Sequence, residues 1–193
     1  MNKSSLLIKY ESLFDSLEVI IKCSENRVVC DTPDELFIDN VNFFVKSYII
    51  SICTYLEAYL QDIAYQYIQD LNERISQTSI PHNYVLWKIR KEVKSKELKF
   101  QNLNIETTKK ELSDNLSGNP YKTITLFKYL GVDITCDNAF QKSKALVSSI
   151  VIKRNNIIHH NDKAMDISFS DLFHYIETVL IYMNSIDQSI AKN

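Results

Sequence analysis

The stretch VNFFVKSYIISICTYLEAYLQDIAYQYIQDL, residues 41–71, decides the fold class. Val41, Phe44, Val45, Tyr48, Ile52, Tyr55, Leu56, Tyr59, Ile63, Tyr67 and Leu71 recur mostly three or four residues apart. An α-helix turns about 100° per residue, so this spacing stacks them along one side of a helix. The pattern begins at Phe37 and runs to about Ile75, and no proline or glycine interrupts it. A helix this long and apolar is expected at the centre of the fold, buried on more than one face. Asn42, Lys46 and Glu57 within its most apolar window favour a core helix over a membrane span.

Flanking segments repeat the helical period. Upstream, Leu6, Tyr10, Leu13, Leu17 and Ile20 form one amphipathic stripe, which ends in the polar stretch CSENRVVCDTPDE. Pro33 fits the first turn of a second helix, with Thr32 as its cap and Glu35 close behind. Downstream, Asp137 is a good cap for a third core helix, in which Phe140, Ala145, Leu146, Ser149 and Ile150 lead towards residue 151. A last helix starts near Ser168 or Ser170, with the stripe Leu172, Tyr175, Ile176, Val179, Leu180, Met183 and Ile186. Between these pairs, residues 76–135 read as a helical insertion within a single domain spanning 1–193. It contains a basic helix at 82–99, a polar stretch from Asn102 to Pro120 with an SGNP turn, and a short helix stopped by Gly131. The expectation is an all-α, antiparallel helical bundle.

Composition agrees. Two glycines and three prolines are too few for the turns of a sandwich, barrel or dinucleotide-binding sheet. The net charge of -2 argues against nonspecific coating of nucleic acid, so any RNA contact must use a local patch. Cys23, Cys30, Cys53 and Cys136 show no paired metal or redox spacing and read as buried thiols of a cytoplasmic protein. No signal peptide is expected, because MNKSSLLIKYESLF lacks a long apolar run and a small-residue cleavage site.

The segment VIKRNNIIHHND, residues 151–162, breaks the apolar pattern. Asn155 and His159, four apart, share a helix face, and the long side chain of Arg154 can swing over the same surface. Ile157 and Ile158 point inward, and HHNDKAMD reads as a loop. A histidine can act as general base or acid near neutral pH, and an arginine can hold a phosphate. Helix ends also gather histidine and asparagine for capping alone, so spacing leaves both a structural and a catalytic reading open. Glu57, deep in an apolar helix, needs a partner, and Arg154 is one candidate. Asp162 can cap the loop or pair with Arg154 or Lys163.

RNNIIHHND, late in a helical chain, resembles the arginine, polar residue, spacer and histidine signature of the HEPN superfamily. IKRNNIIHHND and SYIISICTYLEAYLQDIA are most similar to its RiboL-PSP-HEPN group, with Glu57 at the place of that group's second-helix glutamate. The resemblance implies a metal-independent endoribonuclease without cofactors, acting on RNA as a homodimer with a composite cleft. It also implies a role in phage defence or with an antitoxin; Asn42, Lys46 and Glu57 in the apolar window leave no membrane partner expected. Arg154 and His159 would be the catalytic pair, and Asn155 would orient His159 or the phosphate. His160 can replace His159 in a longer spacing. The superfamily also includes members without nuclease activity, so a non-catalytic protein- or RNA-binding module is the alternative. Outside the resemblance, Lys88, Arg90, Lys91 and Lys94 form the best basic patch for an RNA backbone, with Tyr84 and Trp87 able to stack on bases.

Overall fold

The computed structural model describes residues 3–90 and 92–192, and the chain folds into eight α-helices without a β-strand among them. Four long helices carry the core. The first, α1 (Ser5–Val29), is capped by the Ser4 hydroxyl, which accepts from the Leu7 amide. Its buried side is Leu7, Tyr10, Phe14, Leu17 and Ile21. The core stripe thus lies one position on from the expected one: Ile20 is 53% exposed. Both stripes obey helical spacing and share Tyr10 and Leu17. Docking decides between them.

Next comes the short α2 (Glu35–Asp39). Its cap is Asp34, which accepts from Leu36 N, rather than Thr32. The chain breaks at Asn40, so the long helix α3 (Val41–Gln77) starts four residues later than the periodicity suggests. Length and composition alone would let α3 cross a membrane. In this fold it packs against α1 and buries Val45, Ile49, Ile52, Leu56, Tyr59 and Leu60. Tyr59 is fully buried, and its hydroxyl donates to the Met183 carbonyl at 3.1 Å.

The 76–135 stretch splits in two. Its first part is an arm holding α4 (His82–Ile89) and one 3-10 turn, Ser95–Glu97, so the basic helix expected over 82–99 lasts only eight residues. The arm closes at its neck, where His82 N donates to Gln101 O and Leu103 N to Ile80 O. The second part returns to the core. There α5 (Lys109–Asn115), started by a Thr108–Glu111 capping box, buries Leu112 inside a stretch that reads as merely polar. Then α6 (Pro120–Tyr129) buries Phe127 and ends at Gly131, whose φ of 80° is the left-handed stop glycine permits.

The bundle closes with α7 (Asn138–His160) and α8 (Phe169–Ile190). Asp137 caps α7 by accepting from Ala139 and Phe140 N, and Ser168 caps α8 in a box with Asp171. The short 161–168 connection makes them antiparallel neighbours. Both helices also pack on α3, and α1 packs on α8. The buried side of α7 is Phe140, Ser143, Val147, Ile150, Val151 and Ile157, whereas Ala145 and Ser149 face solvent. Only Cys53 is a buried thiol; Cys23, Cys30 and Cys136 are exposed.

Candidate functional site

The site is built on the last two turns of α7. Arg154 stands seven residues after Val147 and between Ile150 and Ile157, so it occupies a core position of the stripe. An unpaired guanidinium there would be costly. Glu57 on α3 answers it: Arg154 Nη2 donates to Glu57 Oε1 in an ion pair whose side chains are 17% and 26% exposed. The arginine is therefore turned into the α3–α7 interface rather than over the face of Asn155 and His159. Its Nε is buried without a hydrogen-bond partner.

Two further residues complete this pocket. Gly118 N donates to the same Glu57 Oε1 at 3.1 Å, bringing the turn before α6 onto the pair. A Cβ at Gly118 would lie 3.1 Å from Val151 Cγ2 and 3.3 Å from Glu57 Cγ, so only a glycine fits this approach without movement. Cys53, one turn before Glu57, has its thiol pushed up to about 12, chiefly by burial, with Arg154 opposing the shift.

His159 and His160 lie outside this pocket. Both belong to α7 rather than to a loop, both are exposed, and their ring centroids are 6.5 Å apart. The helix ends one residue later at Asn161, in the left-handed conformation with φ 51°. Three ties fix this end. Lys46 on α3 donates to the Asn161 carbonyl at 3.2 Å and to its Oδ1 at 2.9 Å, placing a cation at the negative end of the helix dipole. Asn42 Oδ1 accepts from Ala164 N at 2.8 Å. Lys153 donates to the Lys163 carbonyl and to Asp166. Asp162 is exposed and pairs with neither Arg154 nor Lys163, and Ile158 is 50% exposed rather than inward. Ile158 beside the histidines, Met165 in the following connection and Phe43 at the start of α3 are all exposed.

A helix turn of about 100° per residue sets Arg154 and His159 about 140° apart on α7. One copy of the helix thus carries a held guanidinium on one side and free imidazoles on another. The basic arm is farther away. Lys46, beside the histidine end, and Gln77, before the arm, lie about 45 Å apart along α3. On the arm, Lys88 sits against Trp87, Arg90 pairs with Glu97 at 2.5 Å, and Lys94 precedes the 3-10 turn; Lys91 lies outside the described residues.

Sequence reading missed Gly118, Cys53, Lys46 and Asn42 as parts of the site. Gly118 had a signal: it is one of two glycines, and glycine outside a helix stop invites a search for a close approach. Lys46 and Asn42 stood out as polar breaks in an apolar helix.

A family model described as RiboL-PSP-HEPN matches residues 9–192, almost the whole chain. No curated protein and no solved structure matches it.

Proposed function

The chain belongs to the RiboL-PSP-HEPN family, and on that premise we propose that it is an endoribonuclease working without a metal. In this reading His159, exposed at the end of α7, takes the proton from an RNA 2′-hydroxyl; His160 is the competing assignment for the same role, and the alanine variant that abolishes cleavage identifies the base. The hydroxyl oxygen attacks the adjacent phosphorus, and the 5′-oxygen of the next nucleotide leaves as its bond to phosphorus breaks, taking a proton from water to become the 5′-hydroxyl. Arg154 offsets the charge that builds on the phosphate oxygens, and Asn155 orients the histidine or the phosphate.

The observation that carries this reading is the split nature of α7. A core-position arginine is held rigidly by Glu57, and five residues later a histidine stands exposed on a firmly tied helix end. Rigid support of this kind suits a residue that must present its charge in one geometry. The separation of about 140° between the two supports a homodimer, in which the arginine of one chain and the histidine of another serve one phosphate. Exposed Ile158, next to His159, is an apolar side chain that such a pairing would bury. A role in phage defence, or beside an antitoxin, fits such an RNA-cleaving activity.

One observation favours the alternative, a non-catalytic binding module. Arg154 already has its anion inside the fold, so a purely structural role would satisfy it. Incubation of the purified protein with tRNA in EDTA separates the two. Cleavage that persists under chelation and is lost in His159→Ala and Arg154→Ala supports the nuclease. Equal cleavage by folded variants contradicts it.

A further inference from the structure

The arm between Pro81 and Asn102 is unlike the rest of the molecule. None of its described residues is buried. Yet Tyr84, Trp87 and Phe100 are 55%, 61% and 99% exposed. Its charge is also segregated. Residues 82–99 hold six basic and two acidic side chains, a net of +4, which leaves -6 for the remainder of a chain whose total is -2. The rings are arranged rather than scattered. Tyr84 and Trp87 lie one turn apart on α4 with centroids 6.3 Å apart, and Lys88 Nζ is 4.2 Å from the Trp87 ring and 6.0 Å from that of Tyr84. Backbone bonds at the neck, and Asn83 Oδ1 accepting from Lys99 N at 2.8 Å, hold the arm in shape.

From these features we infer that the arm is a docking surface for single-stranded RNA. Unpaired bases stack on Trp87 and Tyr84, and Lys88, Lys94 and Lys99 face the phosphates. A duplex hides its base faces and offers only its backbone, so it engages the lysines but not the rings. An acidic polypeptide would meet the rings and the charge as well, and it is the occupant favoured if single-stranded RNA leaves Trp87 emission unchanged. The inference deepens the ribonuclease reading, on which it rests for its choice of RNA. With its neck about 45 Å along α3 from Lys46, the arm recruits substrate rather than joining the chemistry.

Trp87 is the chain's one tryptophan, so its emission reports the arm alone. The His159→Ala protein, which leaves RNA uncut in this reading, is titrated with a twelve-nucleotide single-stranded RNA. Saturable quenching of Trp87 is expected, weaker with a duplex of the same length and absent with anionic phospholipid vesicles. Anisotropy of the labelled strand should show Trp87→Ala binding about tenfold or more weakly, as for one lost base stack. Lys88→Ala should flatten the salt dependence by about 0.7 in log–log slope, and the Lys110→Ala control should leave both unchanged. Quenching by vesicles but not RNA, or unchanged affinity in folded Trp87→Ala, overturns the inference. If the wild type cuts no RNA but Trp87 is still quenched by the single strand, the arm's role stands and the nuclease reading alone fails.

Discussion

Arg154 on α7 and Glu57 on α3 form an ion pair at a core position, and Gly118 N–H shares the same carboxylate oxygen. Three elements far apart in sequence therefore meet at one oxygen. Replacing Glu57 with glutamine keeps the shape but removes the charge facing the guanidinium. A loss of about 1–3 kcal/mol is expected, less than for a fully buried pair because both side chains reach solvent. Urea unfolding checks this, and an unchanged midpoint would show that the pair contributes nothing to the fold. RNA cleavage by Glu57→Gln should fall as well, because Arg154 loses its fixed orientation.

Gly118→Ala tests the turn independently of charge. The added methyl meets Val151 Cγ2 at 3.1 Å, so the turn must shift by a few tenths of an ångström and weaken its bond to Glu57. A destabilisation of about 1–2 kcal/mol is expected from overpacking and the lost hydrogen bond. A wild-type unfolding curve would mean that the turn yields freely.

The cysteines divide by exposure. Burial pushes the Cys53 thiol up to about 12, so at pH 8 it is almost wholly protonated and shielded. Cys136 is exposed, and its bond to Asp133 raises its thiol as well. A thiol reagent at pH 8 should therefore modify Cys23 and Cys30 first, Cys136 more slowly, and Cys53 only after denaturation. Rapid modification of Cys53 in the native protein would contradict its placement.

Acid sensitivity should centre partly on Asp62. Burial works against its ionisation, but Tyr10, Lys109 and Lys9 hydrogen-bond the carboxylate and hold it below its ordinary range. A lowered native value means that the unfolded chain takes up this proton first. The stabilisation is complete above about pH 4 and is lost as pH falls through the native value. Asp62→Asn should thus flatten the stability profile below about pH 4. An equally steep acid limb in the variant would assign the effect to other carboxylates.

Much of this was legible in the sequence, for reasons that differ by element. The period of α3 from Val41 onward, the Asp137 and Ser168 caps and the Gly131 stop are local signals and sit where spacing places them, whereas the break at Asn40 gave no periodic signal. The Arg154–Glu57 pair was readable because charges in apolar helices need partners. Other features depend on distant contacts. The face of α1 was ambiguous between two adjacent stripes, and docking centres the core on Leu7, Phe14 and Ile21, leaving Leu6 and Leu13 partly buried at its edge and Ile20 exposed. The seven-residue α5 is too short to show a period, although Leu112 and Leu116 are buried. The inward turn of Arg154 and the approach of Gly118 likewise depend on which helix lies opposite.

The central claim is that α7 supplies the chemistry of RNA cleavage, and the ends of the cut RNA test it most directly. With tRNA in EDTA, the wild type should leave 2′,3′-cyclic phosphate and 5′-hydroxyl ends, the products of 2′-hydroxyl attack, and His159→Ala should leave none. No cleavage by the wild type as a dimer, or 3′-hydroxyl and 5′-phosphate ends that persist in His159→Ala, would contradict it.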